Sequence, residues 1–395
     1  MRICMVRHAH SLEDPRVLKE ALALLARGHS VDIICLRGRA RVRRCPYTGM
    51  TVFELPMRHK RLGICRYLFE YGLSFVTMSV LLSYLHVFKQ YHCIQVNTMP
   101  DFLVFTTIIP RLFGAKILLD LHEPVPELWL AKRPAGGIQL LLIAQMFLQQ
   151  LAIRYADQCI TVTEALRRRL AKGGANIDKI VVVRNAPDDT AFYYDSNSTK
   201  HDFGGRFTLI THGTIEQRYG HELIVRAVCD LKEKLPDLQL EITGDGQYRK
   251  EIENLISELR CEEYVHLLGY IPTDQLMQRL RAADVGVVAM HLSPYSELID
   301  TNKMYEYMAL RKPIIISRLS PLAEVLDESC ARFFEPGDYK DLARCVAELY
   351  HKPALRRQLA ENAYRRYRQI CWKASKDMYT NLVESLVRAR KHYRS

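Results

Sequence analysis

The polar residues best spaced for chemistry lie in residues 301–317, TNKMYEYMALRKPIIIS. The segment reads as a short helix, 303–310, broken at Pro313 and running into a strand, 314–316. Tyr305, Met308 and Ala309 give the helix an apolar side, while Lys303 and Glu306, three apart, can converge on one ligand. A cation and a carboxylate at a helix N-terminus suit a nucleotide diphosphate, with donors and dipole for the phosphates and the carboxylate for ribose hydroxyls. The same residues also read as an amphipathic helix with an i, i+3 salt bridge. In LLDLHEPVPELW, residues 118–129, His122 and Glu123 follow an apolar run directly, with Glu127 and Trp129 behind them. Pro124 and Pro126 predict an extended, non-helical path there. His212-Gly213-Thr214 closes another apolar run, and Arg218-Tyr219-Gly220 stands just before a helix. Gly213 permits close backbone approach and Arg218 can neutralise phosphate. Gly244-Asp245-Gly246 reads first as a tight turn, and Gly269-Tyr270-Ile271-Pro272 as a strand end presenting backbone groups to a flat base.

These groups need elements to hold them. Apolar strand-like runs fall at 2–6, 31–36, 51–55, 94–96, 116–119, 158–162 and 180–183, with helical stretches at 15–27, 67–90, 101–112, 138–155 and 164–172. After a polar, aperiodic linker at 186–206, strands recur at 207–211, 239–243, 265–268, 285–289, 314–316 and 332–334. Helices accompany them at 221–234, 247–259, 273–281, 303–310, 339–351 and 354–370, and a last one spans 375–391. Short, nearly unbroken apolar strands alternating with helices predict parallel sheets covered on both faces. The expected fold class is α/β: two Rossmann-like domains, 1–185 and 186–374, with a central cleft between their sheets and helix 375–391 packing back on the first. Ligands of such sheets gather at the carboxyl ends of the strands, where His122, His212 and Gly213 stand.

A chain of 395 residues suits two domains, and 48% hydrophobic with 25% charged residues suits a globular one. The net charge of +12 is uneven: residues 1–185 hold 26 Lys/Arg against 13 Asp/Glu, and residues 186–395 hold 30 against 31. The excess concentrates in Arg37, Arg39, Arg41, Arg43 and Arg44, then Arg58, Lys60, Arg61 and Arg66, a field that attracts anionic lipid or nucleic acid. Residues 68–88 are mostly apolar, but Glu70, Gly72, His86 and three serines interrupt them, so a buried or surface-docking helix is expected rather than a membrane span. With its basic flank it has the composition of an interfacial anchor. Eleven scattered Cys without a CxxC pair predict reduced thiols, no disulfide framework and no zinc site. A strand starting at the initiator Met predicts no secretory leader, so the expected location is cytoplasmic, at most peripheral to a membrane. No GxGxxG follows the first strand, and no Walker, GxSxG, HExxH or DxD pattern occurs, which argues against nicotinamide, P-loop, serine-hydrolase, zinc-protease and metal-carried nucleotide-sugar chemistry.

Taken together, the motifs resemble those of family 4 retaining glycosyltransferases of the two-Rossmann GT-B architecture, over essentially the whole chain. The matching segments are GHSVDII at 28–34, LDLHEPVPEL at 119–128, THGTIEQRYG at 211–220, GDG at 244–246 and KMYEYMALRKPIII at 303–316. The resemblance is closest to enzymes that build bacterial surface polysaccharides. It implies that the second domain binds a UDP- or GDP-sugar through Gly213, Thr214, Arg218, Tyr270, Lys303, Met304 and Glu306, with Glu306 on the ribose and Arg218 and Lys303 facing the diphosphate. It further implies that the first domain presents a glycan or polyprenyl-diphosphate-linked acceptor, with His122 and Glu123 as the catalytic pair and His122 at the sugar–acceptor junction. No metal or cofactor and no nucleic acid is implied. Three departures stand out. Eight residues before Glu306 is Leu298, with Glu297 one place off, where the family commonly has a glutamate that touches the transferred sugar. Thr214 replaces the family's Arg after the glycine. Leu12-Glu13-Asp14-Pro15-Arg16 replaces the first Gly-Gly loop. Rival readings are another two-Rossmann enzyme, such as a nucleotide-sugar epimerase, and a non-enzymatic nucleic-acid or scaffold protein using the basic half.

Overall fold

Four successive apolar residues, Ile3 to Val6, fill β1 (Arg2–Arg7), and the Asp-Pro-Arg that follows starts α1 (Pro15–Ala26): Asp14 caps it by accepting from Arg16 N and Val17 N, with Pro15 where no N–H is needed. The structure is a computed structural model that describes residues 1–10, 14–37, 45–57, 64–132, 139–187 and 205–388. The chain divides into two compact units, Met1–Asn185 with Ser375–Ser395, and Ala186–Ala374.

The first unit continues with β2 (Ser30–Leu36), β3 (Met50–Leu55), α2 (Ile64–Lys89), β4 (Cys93–Asn97), a 3-10 segment (Asp101–Thr107) leading into α3 (Ile108–Leu112), and β5 (Lys116–Leu121). Then come α4 (Val125–Lys132), α5 (Gln139–Tyr155), β6 (Gln158–Thr161), α6 (Glu164–Lys172) and β7 (Ile180–Val182). Its seven strands form one parallel sheet in the order β3-β2-β1-β4-β5-β6-β7. β4 is buried along its whole length, as a parallel strand covered on both faces must be.

The second unit holds β8 (Phe207–His212), α7 (His221–Leu231), β9 (Leu238–Thr243), α8 (Arg249–Glu258), β10 (Val265–Gly269), α9 (Thr273–Ala282), β11 (Val285–Val288) and α10 (Asn302–Ala309). It closes with β12 (Ile314–Ser317), α11 (Ser320–Ala323), β13 (Arg332–Phe334), α12 (Tyr339–His351) and α13 (Pro353–Ile370). The sheet is again parallel, in the order β10-β9-β8-β11-β12-β13. The last helix, α14 (Trp372–Arg388), runs back onto the first unit: Tyr379 Oη donates to Gln95 Oε1 at 2.6 Å, and Gln95 Nε2 donates to the buried Glu20 at 2.7 Å.

Two expectations are corrected. Residues 125–132 are helical, not extended, because both prolines fall where a helix tolerates them. Pro124 precedes the first turn and its carbonyl accepts Leu128 N at 2.9 Å, while Pro126 sits in that turn, whose N–H groups have no intrahelical acceptor. The cysteines are not all thiols either. Cys229 of α7 and Cys261, just beyond α8, form a disulfide with Cα atoms 6.0 Å apart, a pairing made by the adjacency of α7 and α8 and invisible in a 32-residue spacing. Residues 188–204 of the linker, and Leu12, Glu13, Arg39, Arg41, Arg43, Arg44, Arg58, Lys60 and Arg61, lie outside the described residues, as does the side chain of Arg66.

Candidate functional site

In the second unit β8 ends at His212 between β9 and β11, the point where strand order reverses and where parallel α/β sheets bind ligands. Glycines let three strand ends knit together there. Gly213 N donates to Thr243 O at 2.9 Å, Gly244 N to Gly269 O at 2.7 Å and Ile215 N to Asp245 O at 3.0 Å. A Cβ on Gly244, which has φ +126°, would lie 1.9 Å from Gly213 O, and one on Gly246 would lie 2.1 Å from Ile215 O. The Gly-Asp-Gly turn is therefore a packing device for the Gly213 turn.

Helix α10 is fixed by its aromatic face. Tyr307 packs its ring where a Cβ on Gly286 would stand and donates to Ile210 O at 3.0 Å, while Tyr305 donates to Asp300. Tyr305, Met308 and Ala309 are buried as the apolar side, and so is Met304. That fixation leaves Lys303 and Glu306 on the opposite side, next to the Gly213 turn. The Lys303 stem crosses Gly213, its Cε 3.4 Å from where a Cβ would be, and its Nζ lies 4.7 Å from the centre of the Tyr219 ring. The Arg218 guanidinium is 4.9 Å from the same ring and 5.3 Å from that of Tyr295. Both cations thus border one aromatic residue. The N-termini of α7 and α10 carry no side-chain cap, although Leu223 N and Met304 N bond back to Gly220 O and Thr301 O within those first turns.

The nearest side chain the structure sets against Glu306 is the His212 ring, with Oε2 2.8 Å from Nε2 but without hydrogen-bond alignment, while Lys303 supplies the charge that acts on it. Burial pushes the Glu306 carboxyl up to about 7, against the pull of Lys303. Burial likewise brings the Lys303 ammonium down to about 8, with Glu306 opposing it. Burial and the neighbouring Lys303 bring His212 down to about 3, so its imidazole stays neutral at any ordinary pH. Arg218 is paired with Glu216 at 2.6 Å and remains charged. Thr214 is exposed beside Gly213, and Tyr270 follows the knitted Gly269 with its ring 83% exposed. The Met304 side chain is wholly buried, so that position, like Gly213, offers a ligand no side-chain atom. Glu297 is already engaged, accepting Ser320 N at 3.2 Å and Ser320 Oγ at 2.7 Å.

In the first unit His122 and Glu123 follow β5, each partly exposed. His122 Nδ1 lies 3.1 Å from Asp120 Oδ2, and Arg7 Nη1 lies 3.5 Å from His122 Nε2. A carboxylate can only accept, so Nδ1 carries a proton, and in the neutral ring Nε2 accepts from Arg7 Nη1. Asp120 is buried, which alone would raise its pKa, but Arg16 and then His122 hold it well below the carboxylate range. Arg16 grips it through Nε and Nη2, both at 3.0 Å, and Asn97 donates to it at 2.8 Å. Glu127 is taken by Arg169 at 2.6 Å. The sequence reading gave no role to Asp120, Arg16 or Tyr219, and set His212 at a strand end without a partner. Asp120 had a signal, since residues two apart on a strand share a face. The others become partners only through folding.

These two parallel α/β units, with polar groups at their strand ends, are the architecture of GT-B enzymes. The family model for glycosyl transferases group 1 matches residues 195–366, and that for the glycosyl transferase 4-like domain matches residues 14–186. The chain belongs to these family 4, GT-B glycosyltransferases. Among curated relatives, the D-inositol 3-phosphate glycosyltransferase of Corynebacterium kroppenstedtii is 23% identical over 262 residues, covering 62% of this chain and 57% of that one. The chain thus spans little more than half the length of the curated relatives it matches first. Sucrose-phosphate synthase from Thermosynechococcus elongatus shares the fold at TM-score 0.79 and 19% identity, covering 98% of this chain and 100% of that one. Anabaena HepE in complex with UDP-glucose shares it at TM-score 0.74 and 16% identity, with 98% and 100% covered.

Proposed function

We propose that this glycosyltransferase moves a hexose from a nucleotide-sugar donor, a UDP- or GDP-sugar, to a hydroxyl of a glycan or polyprenyl-diphosphate-linked acceptor in the assembly of a bacterial surface polysaccharide. The carrying observation is the cluster after β8, where Lys303 and Arg218 border Tyr219 beside two uncapped helix N-termini and the Glu306 carboxylate stands one helical turn away. In this reading the cations and backbone N–H groups stabilise the departing diphosphate, so the chain's own residues supply the charge that a metal would otherwise bring. Glu306 accepts from the ribose hydroxyls. The sugar C1–phosphate bond breaks as the acceptor oxygen bonds C1 on the same face, and the acceptor proton passes to the leaving phosphate, which gives retention without a side-chain nucleophile. His122, with Nε2 unprotonated, accepts a hydrogen bond from the transferred sugar in place of the long one from Arg7, and Glu123 accompanies it. A UDP-glucose complex of HepE and the inositol phosphate glycosyltransferase among the relatives support a nucleotide-sugar donor. The reading puts the enzyme in the cytoplasm, where eight free cysteines among the described residues would stay reduced, although the Cys229–Cys261 disulfide is a bond that compartment disfavours.

Thermal shift across UDP-, GDP- and ADP-sugars tests the donor class, since a ligand that binds only the folded chain must raise its melting temperature. Expected is a rise with UDP- or GDP-sugars, and a loss of turnover of about a hundredfold or more in Arg218→Ala through weaker stabilisation of the leaving diphosphate. Near-wild-type turnover in Arg218→Ala would move the phosphate role elsewhere. An epimerase, by contrast, would convert the donor with no acceptor present.

A further inference from the structure

The outer surface of the first unit carries far more apolar area than a soluble domain needs. Of 21 large hydrophobic side chains exposed among the described residues, 14 lie on just three helices, α2, α3 and α5. α2 buries a stripe through Ser74, Met78, Leu82 and Leu85, yet its opposite side is equally apolar, with Phe69, Val76, Val80, Tyr84 and Phe88 all exposed. A surface helix of a soluble protein is polar on that side. On α3, Leu112 is 80% exposed, and Phe113 just after it 71%; on α5, Ile143 and Phe147 stand out in the same way. Packing joins the three: the 3-10 segment before α3 contacts both α2 and α5, and α2 contacts α3. Sheet order agrees, because right-handed crossovers moving from β3 to β4, β5 and β6 put α2, α3 and α5 on one face of the sheet. Scattered exposed hydrophobics are ordinary, but a contiguous face of this extent marks an interaction surface.

We propose that this face seats the enzyme in the plane of an anionic lipid bilayer. α2 contains a stretch, Phe69–Lys89, long and apolar enough to cross a membrane. It does not span, because it connects β3 to β4 of one sheet and is tied down along its length: Tyr71 stacks on His8 at 4.4 Å, and Phe75 meets Phe102 at 5.9 Å. It lies flat instead, as interfacial helices do. Charge decides between lipid and a second copy of the chain. Across the three helices Glu70 is the only acid, against Arg66, Lys89, Arg111 and Arg154; Lys89 pairs with Asp32 and Arg111 with Asp157, but Arg58, Lys60 and Arg61 immediately precede α2 in sequence and keep the balance basic. Two such faces brought together would set cation against cation, whereas anionic headgroups complement them. Basic residues near helix ends with apolar residues between them have the composition of a headgroup boundary.

The test uses the full chain with vesicles of phosphatidylcholine alone or mixed with phosphatidylglycerol. Wild type should float with the anionic vesicles and less well as salt rises. Val80→Glu combined with Phe113→Glu, both at exposed sites, should reduce flotation by about tenfold or more, since it removes apolar insertion and adds repulsion. The pair should leave UDP-sugar binding by the second unit unchanged. Tyr84→Trp should be quenched by brominated acyl chains in anionic vesicles, a readout that holds even if the double variant folds poorly. Equal flotation of wild type and double variant, absence of quenching, or a solution dimer that the double variant converts to monomer would each overturn the proposal. The donor reading does not depend on the outcome.

Discussion

Removing the Glu306 carboxylate should weaken nucleotide binding by an amount the site sets. A hydrogen bond to a charged group contributes about 1.5–3 kcal/mol net, and about 1.4 kcal/mol is tenfold in affinity, so Glu306→Ala should raise the dissociation constant for UDP or GDP roughly 10- to 150-fold in calorimetry. The loss should depend on pH in a definite sense. With the carboxyl raised to about 7 by burial, wild-type affinity falls as pH drops below that value and the ribose loses its acceptor. With Lys303 lowered to about 8, affinity falls again above it as the diphosphate loses a cation. Tightest binding therefore lies between about 7 and 8, and Glu306→Ala should erase the acid limb while leaving the alkaline one. Stability separates this from misfolding. A carboxyl whose folded pKa exceeds its unfolded value contributes stability at low pH that is lost as pH rises through the folded pKa, so at pH 8 the wild type gains nothing from Glu306. The variant should then melt no lower than wild type. Unchanged affinity in a folded Glu306→Ala protein would refute the ribose assignment, and an acid limb that persists would show that another group titrates.

Other substitutions probe the packing behind the site. Gly244→Ala meets both an unfavourable φ and the Gly213 carbonyl, whereas Gly337→Ala, with φ +90° and nothing within 4 Å of an added Cβ, meets only the former. The Gly337 change should cost about 1 kcal/mol in denaturant melts with donor affinity intact; Gly244→Ala should cost more and also lose affinity. Equal effects would mean the Gly213 turn is not held by this contact. Asp120→Asn takes one of two carboxylates from the buried Arg16 guanidinium, leaving Glu20 at 3.3 Å, and should cost about 1–3 kcal/mol of stability. Adding Arg16→Met should restore most of that stability but not turnover, because the His122 tautomer still lacks its carboxylate. Restored turnover would reduce Asp120 to a partner of Arg16.

Both units and their parallel strands were legible in sequence because buried strands of a doubly covered sheet are short, mostly apolar runs, as in β1, β11 and β12. Local rules misled where position within an element decided the outcome. Two prolines in PVP look like a break, yet at the head of α4 they are compatible with a helix. Nor does a Cys spacing of 32 say that α7 and α8 lie side by side.

The site divides along the same line. Lys303 and Glu306 were visible because they share one helix, where a spacing of three fixes their geometry. His212 acquires meaning only when β8 brings it to 2.8 Å from Glu306, 94 residues away in sequence, and Arg16 only when α1 delivers it to Asp120, 104 residues on. In both cases the residue that sequence picks out is positioned or tuned by one it does not. His122 owes its tautomer to Asp120, and Asp120 owes its charge to Arg16. α2 shows the converse. Its composition announced an apolar helix, but only the fold reveals that one stripe suffices for packing against the unit, leaving the rest of its apolar surface for something other than the protein itself.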